Sequence, residues 1–249
     1  MDRILYTASG AAARMLEQQA VVSNNLANVN TTGFRQQLSM QRAVPFVADQ
    51  GLPTRVATVA ATQGSDLSSG PLAETGNPLH VALQGPGWFA VRTPEGEAYT
   101  RAGEFAVNAE NQLVTRAQGY PVLSVDGEPM EIPDRGTVTF SSDGQLTALG
   151  AGDPPNTIQV VGQIKLVNPQ ADSLQRGEDG FFRSQGQAAV QADPGVRIVS
   201  GFLEKSNVNA AQAMVALIEN ARQFEMQMKV IRDASANAER ANGILSAGN

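Results

Sequence analysis

The chain has 249 residues, 42% of them apolar, with a net charge of −6, one histidine and no cysteine. That length and apolar content support a folded core in one large domain or two smaller ones. The acidic balance and the scatter of Lys and Arg argue against a nucleic-acid partner or an anionic-membrane surface. The missing thiols and lone histidine exclude disulfides, thiolate metal sites and a His-based zinc site.

The N-terminus shows no Lys/Arg-rich start running into an uninterrupted apolar core, so no cleavable secretory signal is expected. No run of about 18 apolar residues is present for lipid insertion. Taken alone, these features predict a soluble, cytoplasmic protein. Proline and glycine then divide the chain: all 13 prolines and 20 of the 24 glycines lie between Gln36 and Lys205. Both ends are left nearly free of helix breakers. The class this predicts is α+β, with long N- and C-terminal helices pairing as a coiled coil and an irregular all-β domain inserted between them.

In chain order, a helix is expected over about Asp2 to Ala27, within an N-terminal segment 1–33. Its stripe, Ile4, Ala8, Ala11, Met15, Gln18, Val22, Asn25 and Val29, is thin and rich in Ala, so its helicity in isolation is marginal. The run Ser23, Asn24, Asn25, Asn28, Asn30, Thr31, Thr32, Gly33 should end it, because such side chains bond locally to backbone and a glycine permits a left-handed turn. Residues 34–75 read as an extended connector with short strands. The β-rich domain spans 76–201. Leu79, Val81 and Leu83 alternate, Gly85-Pro86-Gly87 turns, and Trp88 to Val91 returns, which predicts a β-hairpin. Strand-length runs follow at Glu104–Val107, Leu113–Thr115, Tyr120–Leu123, Thr137–Phe140, Gln145–Leu149, Thr157–Val161, Ile164–Val167, Arg197–Val199 and Phe202–Leu203. Asp126-Gly127 and Asp143-Gly144 fit tight turns.

Residues 202–249 hold a short connector and the last helix, capped by Asn207 or Asn209. From Met214 an apolar or small residue recurs every three then four positions: Leu217, Ala221, Phe224, Met228, Ile231, Ser235, Ala238, Asn242, Leu245. This heptad seam would be roughly 48 Å long, more than one small domain covers, and needs another helix. A two-helix hairpin within one monomer would also satisfy it. Ser235 and Asn242 weaken such an isolated pair, however, and favour an intermolecular role.

Candidate chemistry is sparse. His80 lies beside no Ser and Asp arrangement that would make it a general base, and reads as a surface side chain. Asp126, Glu128, Glu131 and Asp134 form the densest acidic stretch but lack the spacing of a calcium loop. No glycine-rich phosphate loop ends in Lys-Ser/Thr. No cofactor, metal or catalytic residue is assigned, and an enzyme has no positive support.

The segment Ser23-Asn24-Asn25-Leu26-Ala27-Asn28-Val29-Asn30-Thr31-Thr32-Gly33-Phe34-Arg35 resembles the N-terminal signature of bacterial flagellar rod and hook proteins. Leu203-Glu204-Lys205-Ser206-Asn207-Val208-Asn209, Ala213-Met214-Val215 and Ala221 to Lys229 resemble its C-terminal counterpart. Thr75 to Leu83 and Tyr99 to Phe105 are similar to the opening of that family's β-domain. The start Met1 to Ala8, the segment Gly152 to Thr157 and the stretch Arg222 to Ile231 look like its proximal-rod member. Lys205 departs from the pattern, since many relatives carry Gly there.

The resemblance implies a structural subunit of the basal-body rod, polymerising through paired terminal helices into the drive shaft used for motility. The implied partners are other copies of the chain, other flagellar rod proteins and the flagellar type III export apparatus. Through that apparatus the chain would reach the periplasm-crossing rod without a cleavable signal peptide. The assembly interface it implies runs through Ile4, Leu5, Met15, Leu16, Val22 and Leu26 with Leu217, Phe224, Met228, Ile231 and Leu245. A distal-rod or hook subunit, or a secreted oligomeric module binding a cell-envelope ligand such as peptidoglycan, are the alternatives.

Overall fold

Residues Asp2 to Ala27 contain no proline and one glycine, and they form α1 (Asp2–Ala27) of 26 residues. The computed structural model describes residues 2–39, 41–45, 56–60, 64–133, 137–149, 158–186 and 189–247. The protein is α+β: the described residues form two long helices, a 3-10 turn at Ala171–Ser173 and many short antiparallel strands. It divides into two compact units, the first drawn from Met1–Val29, Gln36–Asp66 and Val208–Asn249, the second from Asn30–Arg35 and Leu67–Asn207.

In the first unit, α1 is followed by β1 (Gln37–Leu38), β2 (Gln41–Pro45), β3 (Val56–Ala60) and β4 (Gly64–Ser65), and later by α2 (Ala210–Ala247). β1 pairs with β4 and β2 with β3, both antiparallel. α1 packs against α2. α1 ends where the asparagine run predicts, with the Asn28 side chain donating to the Asn24 carbonyl at 2.9 Å. Asn209 caps α2, its Oδ1 accepting from the Gln212 N–H at 3.1 Å. At about 1.5 Å per residue, the 38 residues of α2 reach about 57 Å.

The covered stripe of α2 runs through Ala213, Leu217, Asn220, Phe224, Gln227 and Ile231. It shares Leu217, Phe224 and Ile231 with the expected seam. Ala221, Ser235 and Ala238 of that seam are half-buried too, and the stripe departs from it at Met214 and Met228, where Ala213 and Gln227, one residue earlier, are the covered ones. Met214 is 53% exposed and Met228 36%. The reason is helical rotation: Ala213 and Gln227 fall in line with Leu217, Phe224 and Ile231, and a side chain one position later is turned about 100° away, onto the flank. Asn242 and Leu245 have side chains outside the described residues.

The second unit holds β5 (Leu72–Glu74), β6 (Val81–Gln84), β7 (Trp88–Thr93), β8 (Gly96–Thr100), β9 (Phe105–Val107) and β10 (Leu113–Thr115). They are followed by β11 (Thr137–Phe140), β12 (Gln145–Leu149), β13 (Gln159–Gln163) and β14 (Leu166–Val167). β15 (Leu174–Arg176), β16 (Phe182–Ser184), β17 (Arg197–Ser200) and β18 (Phe202–Glu204) complete it. The largest sheet has the order β14-β7-β8-β16-β15, and β11-β12-β13 forms another. β7 is an interior strand of the largest sheet and is buried on both faces. Phe89 and Val91 enter one core with Val81, Phe105 and Ile198, while Trp88 and Ala90 enter a second with Tyr99 and Phe182.

The expected hairpin across Gly85-Pro86-Gly87 does not form. β6 pairs with β17 and β7 pairs with β8, so the turn carries the chain from one sheet to another. Gly87 has φ +143°, and a Cβ there would sit 2.6 Å from a Val196 methyl, which fixes glycine at the crossing. β8 escapes a pattern search because Gly96 and Glu97 dilute its apolar half. Tyr120 to Leu123 makes isolated bridges to Val91, Val114 and Pro129 instead of a strand. The two tight turns do occur, with Gly127 and Gly144 at φ +82° and +85°.

Tyr99 is 1% exposed. Its hydroxyl donates to Glu97 Oε1 at 3.0 Å and accepts from the Val190 N–H at 3.0 Å. Burial pushes its pKa up to about 12 from 10.0, with Glu97 adding to the rise. A raised folded-state value means stability that is full below about pH 10 and is lost as pH climbs toward 12, worth about 2–3 kcal/mol. Ultraviolet titration of the full chain should therefore show a phenol ionising near pH 12. Tyr99→Phe should abolish that step, and its persistence would contradict the assignment.

Candidate assembly site

The two signature segments occupy the places where the chain changes direction. In the first unit, Asn25 is 3% exposed although polar. Its Nδ2 donates to the Gln37 carbonyl at 2.9 Å and its Oδ1 accepts from the Gln37 N–H at 2.8 Å. The side chain thus acts as a short strand partner for the departing chain. An amide offers both a donor and an acceptor at this spacing, which neither Asp nor Leu does. Ser23, Asn24 and Ala27 are exposed, and Leu26 and Asn28 are half-buried.

In the second unit, Gly33 has φ +68° and donates its N–H to the Glu204 carbonyl at 2.7 Å. A Cβ at Gly33 would collide with the backbone of Arg101 and Ala102. Phe34 is buried beneath the Arg176 guanidinium, which lies 4.5 Å from the ring centroid and donates to the Arg35 carbonyl at 2.7 Å. Burial holds Arg176 below the usual arginine range. Ser206 is buried, and the Asn207 Nδ2 donates to the Ser68 carbonyl at 3.1 Å. Val208, in the first unit, is also buried.

Between these segments lies a buried ionic knot. Glu204, fully buried, receives Arg35 Nη2 at 2.6 Å, Arg101 Nη1 at 3.1 Å and the Gly70 N–H at 2.8 Å. One carboxylate therefore ties four separate chain segments together. The knot carries an excess positive charge. Burial lowers the Arg101 pKa, with Glu204 opposing that shift and Arg35 adding to it. Trp88 lies beneath both guanidiniums, 5.4 Å from Arg101 and 6.0 Å from Arg35, and its ring face helps to accommodate the surplus.

A Cβ on Gly70 would strike the Lys205 carbonyl, so the glycine that this crossing requires is Gly70. Lys205 itself is not among the positive-φ residues, and its N–H donates to the Pro71 carbonyl at 2.9 Å. The departure at Lys205 is thus accommodated by ordinary extended backbone.

Of the expected interface residues, Leu5, Met15, Val22 and Leu26 on α1 and Leu217, Phe224 and Ile231 on α2 are half-buried. Leu16 is 52% exposed. The side chains of Ile4 and Leu245 lie outside the described residues. His80 is half-buried and forms a β-bridge with Glu104, with Nδ1 2.9 Å from Thr75 Oγ1 and Nε2 3.3 Å from Asn77 Nδ2. Asp126, Glu128 and Glu131 line a cleft of about 550 Å³ with Met130, Val161 and Gln163; Asp134 lies outside the described residues. Among the described residues no group of three or more His, Asp or Glu side chains could hold a metal ion. Gly70 carries no signal in the sequence, and Arg101 and Trp88 are visible there only within the Tyr99 to Phe105 resemblance and the Trp88 to Val91 strand, because nothing local reveals that Glu204 will be buried beside them.

Buried ion pairs, amide clamps and two long helices sharing one unit define a protein built to hold chain segments together. Three family models match the chain: "Flagella basal body rod protein" over residues 5–35, "Flagellar hook protein FlgE/F/G D1 domain" over 82–148 and "Flagellar basal body rod FlgEFG protein C-terminal" over 199–244. The chain is 48% identical to the flagellar basal-body rod protein FlgF of Escherichia coli K12 and 47% identical to that of Salmonella typhimurium, over 99% of each chain. It is 32% identical to the FlgF protein of Buchnera aphidicola subsp. Schizaphis graminum over the full length of both. The chain belongs to the flagellar basal-body rod protein family.

Glu204→Gln leaves two buried guanidiniums without their counter-charge and should cost about 3–5 kcal/mol. Urea unfolding followed by the fluorescence of Trp88, the one tryptophan, should show the midpoint fall. An unchanged midpoint would contradict a structural role for the knot.

Proposed function

We propose that the chain is a structural subunit of the bacterial flagellar basal-body rod that polymerises through its terminal helices, paired as a coiled coil with the 76–201 β-rich domain inserted between them. It acts by side-chain packing across many subunits and performs no catalysis. The observation that carries this reading is the far side of α2. Val215, Ile218 and Met226 are 52–59% exposed there, and Met214 and Val230, on the two flanks, are 53% and 45% exposed. A helix apolar on two sides is one to be buried on two sides. Each such side chain gains about 1.5–3 kcal/mol when fully covered.

Charge supports the same reading. The segments of the first unit carry eight Lys or Arg and eight Asp or Glu, whereas those of the second carry ten and sixteen. The net −6 therefore resides in the β-rich unit, and the helical unit is neutral overall, so copies can pack helix against helix without net repulsion. A heterologous contact repeated along an axis builds a filament, and a two-fold contact would stop at a dimer. The proximal rod is the position assigned. The partners are further copies and other rod proteins, and delivery is by the type III export apparatus to a rod crossing the periplasm without a cleavable signal. The interface runs through Ile4, Leu5, Met15, Leu16, Val22, Leu26, Leu217, Phe224, Met228, Ile231 and Leu245.

Two substitutions separate the roles of the helix faces. Ile218→Asp should leave the helical signal and melting of the free chain within about 0.5 kcal/mol of wild type, because the site is exposed, yet abolish incorporation into basal bodies and motility. Phe224→Asp should weaken the helix pair as well, with the β-rich unit still folded. Normal swimming by either mutant, in a host lacking its own copy, would defeat the interface reading.

A further inference from the structure

We propose that Asn220 is the register-setting residue of the helix pair, and that its unpaired amide keeps the pair marginal in the free chain. The functional half of this proposal rests on the rod-subunit reading; the half concerning the free chain does not.

Among the described residues of α2, Asn220 is the single buried one, at 4% exposure. It occupies the covered stripe between Leu217 and Phe224, where an apolar side chain would give the most. Its Nδ2 is buried and has no hydrogen-bond partner among the described residues. In water that group would be solvated, so covering it without an acceptor opposes helix pairing. The other buried asparagine of the unit, Asn25, is committed to both backbone groups of Gln37. The helix thus places its most covered position on an amide while Met214, Val215 and Ile218 face outward.

A buried amide between Leu217 and Phe224 lowers stability and discriminates among alignments, because each slide of one helix along the other changes what surrounds it. A leucine side chain in place of the amide would join Leu217 and Phe224 in one apolar run and favour helix pairing before neighbours arrive. It would also permit alignments that Asn forbids. The expected signature is therefore opposite in sign for the two properties: more stable as a free chain, less competent in assembly. A residue whose role is only structural would lower both when replaced.

The test uses the full chain with Asn220→Leu and Asn220→Ala, and the exposed Asn237→Leu and Asn237→Ala as controls for helix propensity. Thermal melting is followed by circular dichroism at 222 nm. Asn220→Leu should melt about 4–8 °C above Asn237→Leu, and Asn220→Ala no lower than Asn237→Ala. Each variant is then expressed in a host lacking its own copy, and the amount in isolated basal bodies is measured. Asn220→Leu should be incorporated at least about tenfold less than wild type, a difference of about 1.4 kcal/mol in assembly. An Asn220→Leu midpoint at or below its control would overturn the unpaired-amide claim, and the same follows if Asn220→Ala melts below Asn237→Ala. A stabilised Asn220→Leu chain incorporated as well as wild type would overturn the register claim. Failure of the wild-type chain itself to enter basal bodies would defeat the rod reading, while the melting comparison would still decide the role of Asn220 in the free chain.

Discussion

Burial of apolar surface is the constraint on which this structure turns, and α2 satisfies it on one side only. Along the stripe toward α1 the helix presents Ala213, Leu217, Asn220, Phe224, Gln227 and Ile231, a set with modest apolar area and two amides. Its larger aliphatic and thioether side chains, Met214, Val215, Ile218, Met226 and Val230, lie outside. α1 repeats the pattern with alanines at its buried positions 8 and 12 and with Tyr6 and Leu16 exposed. The covered positions thus mix alanines and amides with Leu217, Phe224 and Ile231, and they leave as many apolar side chains in solvent on the rest of the helix.

The β-rich unit obeys a different logic and is self-sufficient. β7 is covered on both faces, the aromatic pairs Phe89 with Phe105 and Trp88 with Phe182 fill the two cores, and the strands are joined by glycine turns. Its polar exception, Glu204 with Arg35 and Arg101, joins segments within this unit that lie 169 and 103 positions apart in sequence. Such a knot adds little net stability over an apolar plug, but it penalises any arrangement in which one member is missing. It therefore specifies which segments meet, as Asn25 does more locally through the Gln37 backbone.

Much of this was legible before any coordinates. Clustering of proline and glycine located both helices because helix breakers act locally, the asparagine run placed the end of α1, and of the two asparagines that could cap α2 it is Asn209 that does so. The short run Leu113–Thr115 and the alternating Gln145–Leu149 were equally plain as strands. What failed was non-local. The Gly85 to Gly87 turn looks like a hairpin from within its own window, and only the return of β17 from more than a hundred residues away claims the edge of β6. The heptad seam was placed by apolarity, which cannot tell a covered alanine from an exposed methionine. Glu204 and Arg35 were visible as members of a signature, but their joint burial with Arg101 depends on the completed fold.

The central claim is that the outward face of α2 is covered in the assembled rod. Because the chain has no cysteine, the single substitution Ile218→Cys gives a site-specific probe of that face. Maleimide labelling would be compared between the free chain and basal bodies that have incorporated it. The account predicts ready labelling of the free chain and protection in the basal body; equal labelling in both, with incorporation intact, would contradict it.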